Sequence, residues 1–336
     1  MKRINSFCTI LFCTAFLTGC TSGGTTFSEP EPDAVQSADT VPAATEPAAT
    51  EPAATEPAAT EPAVTEPPEK PEITDGEKEG WLSCTYAGIR HDMILDLPET
   101  PDGAPLIVML PGYGQTAESF RSFTNMEEAA NPRGYAVLYV TGAPQPNDPT
   151  SSYGWNSGLS PEGNPDTAFL KALAGSMQET YGFDSARTFA AGFSNGGFMM
   201  HRLAMECADT FAAVASVAGR ITDSIWENRN EANSVGVLQI TGEKDEVIPK
   251  HSDGTADRYD VPGIEDVMAY WAASNGLTES ASETVGDKSV LTKYTGSSGK
   301  QVWDVFIPNG RHSWPNGDYN GVIANELILD FFDAQK

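Results

Sequence analysis

Apolar positions are unevenly distributed along the chain. Up to about residue 79, beyond an apolar stretch at the very start, they are scattered. After that, short apolar or β-branched runs recur at 93–97, 106–110, 135–141, 188–193, 212–217, 235–241 and 302–307. Runs this short and this continuous read as strands covered on both faces rather than as half-exposed strands, which would alternate with a period of two. Between them the spacing changes to that of helices, near 117–130, 167–181, 195–207, 264–274 and 322–332. Strand–helix alternation predicts an α/β domain: a mostly parallel central sheet with helices on both faces. Sheets of this kind gather their chemistry at the carboxyl ends of the strands, so the loops after each run are where reactive side chains are sought.

The first eighty residues have a different logic. Lys2 and Arg3 precede a short apolar run over 10–17 that is too short to span a bilayer and ends in Leu17-Thr18-Gly19-Cys20. The pattern resembles a bacterial lipobox, with Cys20 as the lipidated residue; the bland alternative is an ordinary secretory signal with a chance cysteine. A Thr-Glu-Pro-Ala-Ala repeat then runs over 45–67. Its prolines remove backbone donors and its glutamates repel one another, so no core can form. Three segments are therefore expected: a signal at 1–19, a disordered tether at 20–79 and one catalytic-size domain at 80–336. Of the five cysteines, Cys8 and Cys13 would leave with the signal. Cys84 and Cys207 remain, as a disulfide or as two buried thiols.

The full chain of 336 residues carries 20 Lys+Arg against 47 Asp+Glu, a net charge of −27. That balance argues against nucleic acid and against anionic lipid headgroups as ligands. The cysteines lack CxxC spacing, so a structural zinc site is not expected, and nothing in the chain calls for a cofactor.

The chemistry-bearing motif is Gly192-Phe193-Ser194-Asn195-Gly196-Gly197, set between a strand and an amphipathic helix. A serine on such a turn needs small neighbours two residues away to let strand and helix approach, and it faces the free N–H groups of the helix start. Ser194 is the expected nucleophile. It needs a base, and of the four histidines His312 is favoured, because it follows the last strand in Asn309-Gly310-Arg311-His312-Ser313-Trp314-Pro315. His201 reads as a helix-face residue, His251 lies in a polar loop and His91 lies near an outer strand. The acid that orients the base is expected in Gly242-Glu243-Lys244-Asp245-Glu246-Val247-Ile248-Pro249, with Asp245 chosen over Glu243 and Glu246, which read as solvated. The order Ser194, Asp245, His312 is that of the α/β-hydrolases. The loop Pro111-Gly112-Tyr113-Gly114-Gln115 follows the strand at 106–110, which assigns the oxyanion N–H groups to Tyr113 and Asn195.

Taken together, these motifs, with Phe183-Asp184-Ser185-Ala186-Arg187 and Tyr153-Gly154-Trp155-Asn156, resemble the esterase family that groups feruloyl and acetyl xylan esterases with poly(3-hydroxybutyrate) depolymerases. The likeness covers roughly residues 85–335. It implies an α/β-hydrolase fold and a metal-free acyl-enzyme mechanism, and it supports Ser194, Asp245 and His312 as the triad. The chain departs from the family in having Pro111 where a histidine is usual before the oxyanion glycine. It also has Asn164-Pro165-Asp166 where paired acids are frequent, which reads as a helix cap. Trp155 and Trp314 flank the site in sequence and are candidates to stack on substrate; the bland alternative is buried packing. The expected protein is a monomeric, cell-surface lipoprotein esterase that meets the membrane only through the lipid on Cys20. Its expected substrate is acylated plant polysaccharide, with polyester as the alternative. A non-catalytic surface binding protein is the remaining class, and it predicts a missing triad member.

Overall fold

The apolar runs fold as strands that are buried on both faces. The computed structural model describes residues 70–146, 148–160, 162–230, 234–248 and 262–335. The expected signal, Cys20, nearly all of the tether and His251 lie outside the described residues. The strands are β1 (Glu72–Asp75), β2 (Trp81–Tyr86), β3 (Ile89–Asp96), β4 (Leu106–Leu110), β5 (Ala136–Val140), β6 (Ala143–Pro144), β7 (Tyr153–Gly154), β8 (Thr188–Phe193), β9 (Ala213–Val217), β10 (Gly236–Gly242), β11 (Glu279–Val285), β12 (Ser289–Thr295) and β13 (Val302–Ile307). The helices are α1 (Ala117–Thr124), α2 (Met126–Ala130), α3 (Asp166–Tyr181), α4 (Asn195–Glu206), α5 (Asp223–Glu227), α6 (Ile264–Ser274) and α7 (Ala324–Asp333).

Eleven strands form one sheet in the order β1-β2-β3-β5-β4-β8-β9-β10-β13-β12-β11, and β6 and β7 make a small separate pair. The block from β5 through β4, β8, β9 and β10 to β13 is parallel. Both flanks are antiparallel, so the expected mostly parallel sheet describes the centre and the whole sheet is mixed. The period-two side-chain alternation sorts the core into two halves. Leu106, Val108 and Leu110 join one apolar cluster, with residues of α3, α4, α5 and α6. Ile107 and Met109 of the same strand join the other, with residues of α1, α2 and α7. Helices on both faces, as expected, thus follow from strands that have no polar side.

Three local features differ from the expectations. The helix expected over 117–130 is two helices, because Asn125 adopts a left-handed conformation (φ 45°) that ends α1, and Asn tolerates that region better than most residues. Strand β1 lies inside the expected tether and pairs with β2, Ile73 opposite Cys84, so the fold takes in residues ahead of 80. Strand β11 is solvent-exposed along nearly its whole length and carries no apolar face that would announce it. Cys84 and Cys207 are free thiols buried in one apolar cluster rather than a disulfide. Burial pushes their thiols up, to about 11 and about 12 respectively, so both are inert at neutral pH.

The chain order around the sheet positions the site. From β4 the chain steps to β5 on one side and then returns to β8 on the other. The loops after β4 and β8 therefore separate at a topological switch point, where α/β sheets open a crevice.

A buried polar network joins α4, β10 and α6. His201 of α4 is fully buried; its Nδ1 accepts the Trp271 indole N–H at 3.3 Å, so its Nε2–H donates to Gln239 Oε1 at 3.0 Å. Gln239 in turn donates to the Gly219 carbonyl and to Thr241. Burial pushes the imidazole pKa down to about 4, against the hydrogen bond to Gln239. Between pH 6.5 and 4 the unfolded chain binds a proton here that the folded chain refuses. This contribution to stability is therefore complete above 6.5 and is lost as pH falls to 4, about 3 kcal/mol in all. Urea denaturation at pH ~7 and ~4.5 should show most of that loss in the parent. His201→Gln should show a pH dependence flatter by a similar amount; equal slopes would contradict a neutral His201.

Candidate active site

Ser194 occupies the turn between β8 and α4 with φ 54° and ψ −117°, a conformation L-residues avoid. The turn is held by close approach of backbone to backbone. A Cβ on Gly196 would lie 2.1 Å from the Leu110 carbonyl oxygen, and one on Gly192 would lie 2.4 Å from the Gly196 oxygen. The two glycines of the motif are thus steric requirements, and the Ser194 N–H is fixed on the Val217 oxygen at 3.0 Å.

Two neighbouring loops meet this serine. His312 follows β13; its Nε2 lies 3.0 Å from Ser194 Oγ and its Nδ1 lies 2.9 Å from Asp245 Oδ2. Asp245 follows β10, and its side chain is wholly buried. Its other oxygen accepts the N–H groups of Val247 (2.9 Å) and Ile248 (2.7 Å), which satisfy the buried charge and fix its rotamer. The two loops are laced together. Gly242 packs against Gly310, where a Cβ would lie 2.5 Å from backbone atoms, and the Lys244 N–H donates to the Gly310 oxygen at 2.7 Å. Glu243, expected to be merely solvated, accepts the Asn309 N–H at 2.9 Å and ties the histidine loop down. The Phe193 ring sits 5.0 Å from the imidazole. His91 and His201 are buried elsewhere; His91 stacks on Phe169 and bonds the Thr141 oxygen.

The loop after β4 closes the other side. A Cβ on Gly112 would touch Ser194 Cβ at 3.4 Å, and the Gly112 N–H donates to Gln115 Oε1. Among the described residues, the N–H groups of Tyr113 and Asn195 donate to no other group. The Tyr113 side chain is half exposed and its hydroxyl bonds Asp148 and Thr150.

Both tryptophans expected to stack on substrate are turned inward. Trp314 packs edge-on against Phe120 and donates to Asn325, in the apolar cluster on the α1/α7 face. Trp155 is 3% exposed and its indole N–H donates to the Pro111 carbonyl at 3.1 Å. The position that carries histidine in the resemblance therefore receives its support from Trp155, which also contributes to the wall of a pocket of about 230 Å³ beside Tyr113 and Asn195. Leu159 and the polar side chains of Gln145, Asn156, Ser160 and Glu162 complete much of that wall.

Sequence reasoning missed the residues that hold this loop. Asp166 does not cap α3; Pro165 is the N-cap, and the Asp166 carboxylate accepts the Asn156 N–H at 2.6 Å and the Gln145 amide at 3.1 Å. Its burial pushes the carboxyl up to about 6. The only signal for it was an acid at a helix start, which a cap also explains. Among the described residues, no group of three or more His, Cys, Asp or Glu could hold a metal ion.

The chain matches the family model described as esterase PHB depolymerase over residues 94–283, a stretch that includes Ser194 and Asp245 and ends before His312. It is 29% identical over 256 residues to NocK of Nocardia uniformis subsp. tsuyamanensis, named as an esterase, covering 66% of this chain and 69% of NocK. It is 32% identical over 183 residues to "Probable feruloyl esterase C" of Aspergillus terreus, covering 53% and 62%. With the acetylxylan esterase of Coprinopsis cinerea it shares 27% identity over 167 residues, covering 48% and 43%. The chain thus spans less than two thirds of these two fungal relatives. In structure it is similar to the acetyl xylan esterase from Aspergillus awamori, with a TM-score of 0.53 at 16% identity, over 73% of this chain and 94% of that one, a likeness of fold. With a parallel-centred sheet, a serine on a strained strand–helix turn and these relatives, the chain is a serine ester hydrolase of the α/β-hydrolase fold and belongs to the esterase PHB depolymerase family.

Proposed function

We propose that this protein is an exported carboxylesterase that removes feruloyl or acetyl groups from plant cell-wall polysaccharide, with Ser194, His312 and Asp245 as its catalytic triad. One observation carries the reading: an unbroken hydrogen-bond chain from Ser194 through His312 to Asp245, drawn from three separate loops. In this reading His312 takes the Ser194 proton as Oγ attacks the ester carbonyl, and the N–H groups of Tyr113 and Asn195 hold the tetrahedral oxyanion. Asp245 stabilises the imidazolium, which then protonates the leaving sugar alkoxide, and water repeats the cycle on the acyl-enzyme. A pocket beside the two oxyanion N–H groups, larger than an acetyl group needs and lined by Tyr113, Leu159 and several polar side chains, suits a phenolic acyl group. The names of the fungal relatives point to the same substrate class. Lipidation at Cys20 and the acidic 20–79 tether would hold a monomeric domain outside the membrane, where polymers too large to enter the cell are met.

The polyester reading has its own observation. Tyr113, Phe123, Tyr153, Leu159 and Val247 are exposed apolar or aromatic side chains. Tyr113 and Leu159 line the pocket, Phe123 packs on Phe193, and Val247 donates its backbone N–H to Asp245. Such side chains could adsorb a solid polymer.

Replacing Ser194 by Ala should lower kcat on a p-nitrophenyl ester by on the order of 10⁶, and a residual rate within tenfold of the parent would sink the triad. Asp245→Asn should lower it by roughly 10⁴, because the amide favours the wrong imidazole tautomer. Incubating the full chain with feruloylated, acetylated arabinoxylan should release ferulate or acetate, and Ser194→Ala should release neither. Release of 3-hydroxybutyrate from a polyester suspension, with nothing from arabinoxylan, would instead select the second reading.

A further inference from the structure

The N–H groups of Tyr113 and Asn195 lie on separate segments that a third stretch joins. The loop after β4 carries Tyr113, the start of α4 carries Asn195, and the stretch 153–157 bonds to both. The Gly114 N–H donates to the Tyr153 oxygen at 2.7 Å and the Trp155 indole donates to the Pro111 oxygen at 3.1 Å, so Tyr113 is gripped on either side. The Trp155 N–H donates to Asn195 Oδ1 at 2.7 Å, and Asn195 Nδ2 donates back to the Trp155 oxygen at 3.2 Å. Gly154 lies flat between the two, where a Cβ would stand 3.2 Å from the Tyr113 ring and 3.3 Å from Asn195 Oδ1. The ladder pairing of this stretch is confined to the two-residue strand β7, which is marginal by itself.

Its anchor lies behind it. Asp166 Oδ2 accepts both the Asn156 N–H and the Gln145 amide; Gln145 also donates to the Gly154 oxygen at 3.1 Å. Arg202 donates to the Asn156 oxygen at 2.6 Å. Asp166 is 2% exposed, bonds neither Ser194 nor His312 and does not itself line the pocket, although its partners Gln145 and Asn156 do. We propose that Asp166 is a positioning residue: a buried carboxylate that fixes the 153–157 stretch, and through it sets the spacing of the Tyr113 and Asn195 N–H groups. The inference rests on the reading of those N–H groups as the oxyanion site. It also accounts for an ionisable group kept in a site where burial disfavours its charge, since an apolar residue there would leave the Asn156 N–H unpaired.

A distorted oxyanion site weakens binding of the tetrahedral state and leaves binding of the ground-state ester nearly unchanged. The test uses the full chain, a p-nitrophenyl ester as substrate and an aryl trifluoromethyl ketone, which adds to the serine and places an oxyanion in the same site. Asp166→Ala should lower kcat by about 30-fold or more, change KM less than about threefold, and raise the ketone inhibition constant in parallel with the loss in kcat/KM. Asp166→Asn, whose carbonyl oxygen can occupy the Oδ2 position, should recover most of both losses. If the alanine variant does not fold, Asp166→Ser serves, because it keeps a small polar group there but is too short to reach the Asn156 N–H. Parent-like kcat and ketone affinity in a folded Ala or Ser variant would overturn the proposal. So would a fall in kcat with ketone affinity unchanged. A parent enzyme that is inactive, or a Ser194→Ala variant that is fully active, would instead overturn the esterase reading on which the inference stands.

Discussion

The approach of α4 to the β4 edge of β8 governs the rest of the molecule. Where Gly196 passes the Leu110 carbonyl there is no space for a methyl group, and the same closeness forces Ser194 into a positive-φ conformation. Local strain of this kind costs on the order of 1–3 kcal/mol and persists only where surrounding structure over-determines it. Here the surroundings are the fully buried β4, β8 and β9, the Ser194 N–H fixed on Val217, and the packing of Gly197 against Gly219. The strain turns a side chain that would otherwise pack into the core out toward the crevice.

The remaining groups of the site are added to this point by loop-to-loop bonding rather than by their own elements. The Asp245 and His312 loops lie side by side because β10 and β13 are parallel neighbours, and the Gly242–Gly310 contact with the Glu243 and Lys244 bonds sets their spacing. On the other flank, 153–157 bonds to the Pro111 and Asn195 segments. The molecule therefore places buried polar groups where they are most demanding. His201 is satisfied as a neutral ring, Asp245 as a carboxylate with two backbone donors, and Asp166 as a carboxylate with two donors of its own. A polar group at such depth is costly unless it is hydrogen-bonded, so each of these networks also favours one geometry.

Much of the central architecture was legible because it rests on short-range rules. Strands buried on both faces have no polar side, and 106–110, 188–193 and 302–307 stand out as short, largely apolar runs bounded as observed. The G-x-S-x-G spacing is legible for a similar reason, since sterics permit few residues there. The antiparallel flanks were legible only in part: the run at 93–97 marks β3, and the strands outside it left no such run. β11 lies at one edge with almost every side chain in water, and β1 lies at the other, so neither needed the apolar pattern by which a strand is recognised.

By itself the sequence determined the alternation that makes the sheet, the turn that exposes Ser194, and the chain order of the three groups now in contact. It could nominate Asp245 over Glu243 and Glu246 but could not show that Glu243 is engaged by Asn309, since that depends on two loops 66 residues apart meeting across the sheet end. It offered Trp155 and Trp314 as surfaces and Asn164-Pro165-Asp166 as a cap, because an indole or a carboxylate looks the same in sequence whether it faces water or a backbone donor. Only the tertiary structure decided that Trp155 bonds the Pro111 carbonyl, that Trp314 packs on Phe120, and that the Asp166 carboxylate accepts the Asn156 N–H. The reason is physical: periodicity reports which side of an element is buried, whereas a hydrogen bond between distant loops depends on where the whole sheet brings them.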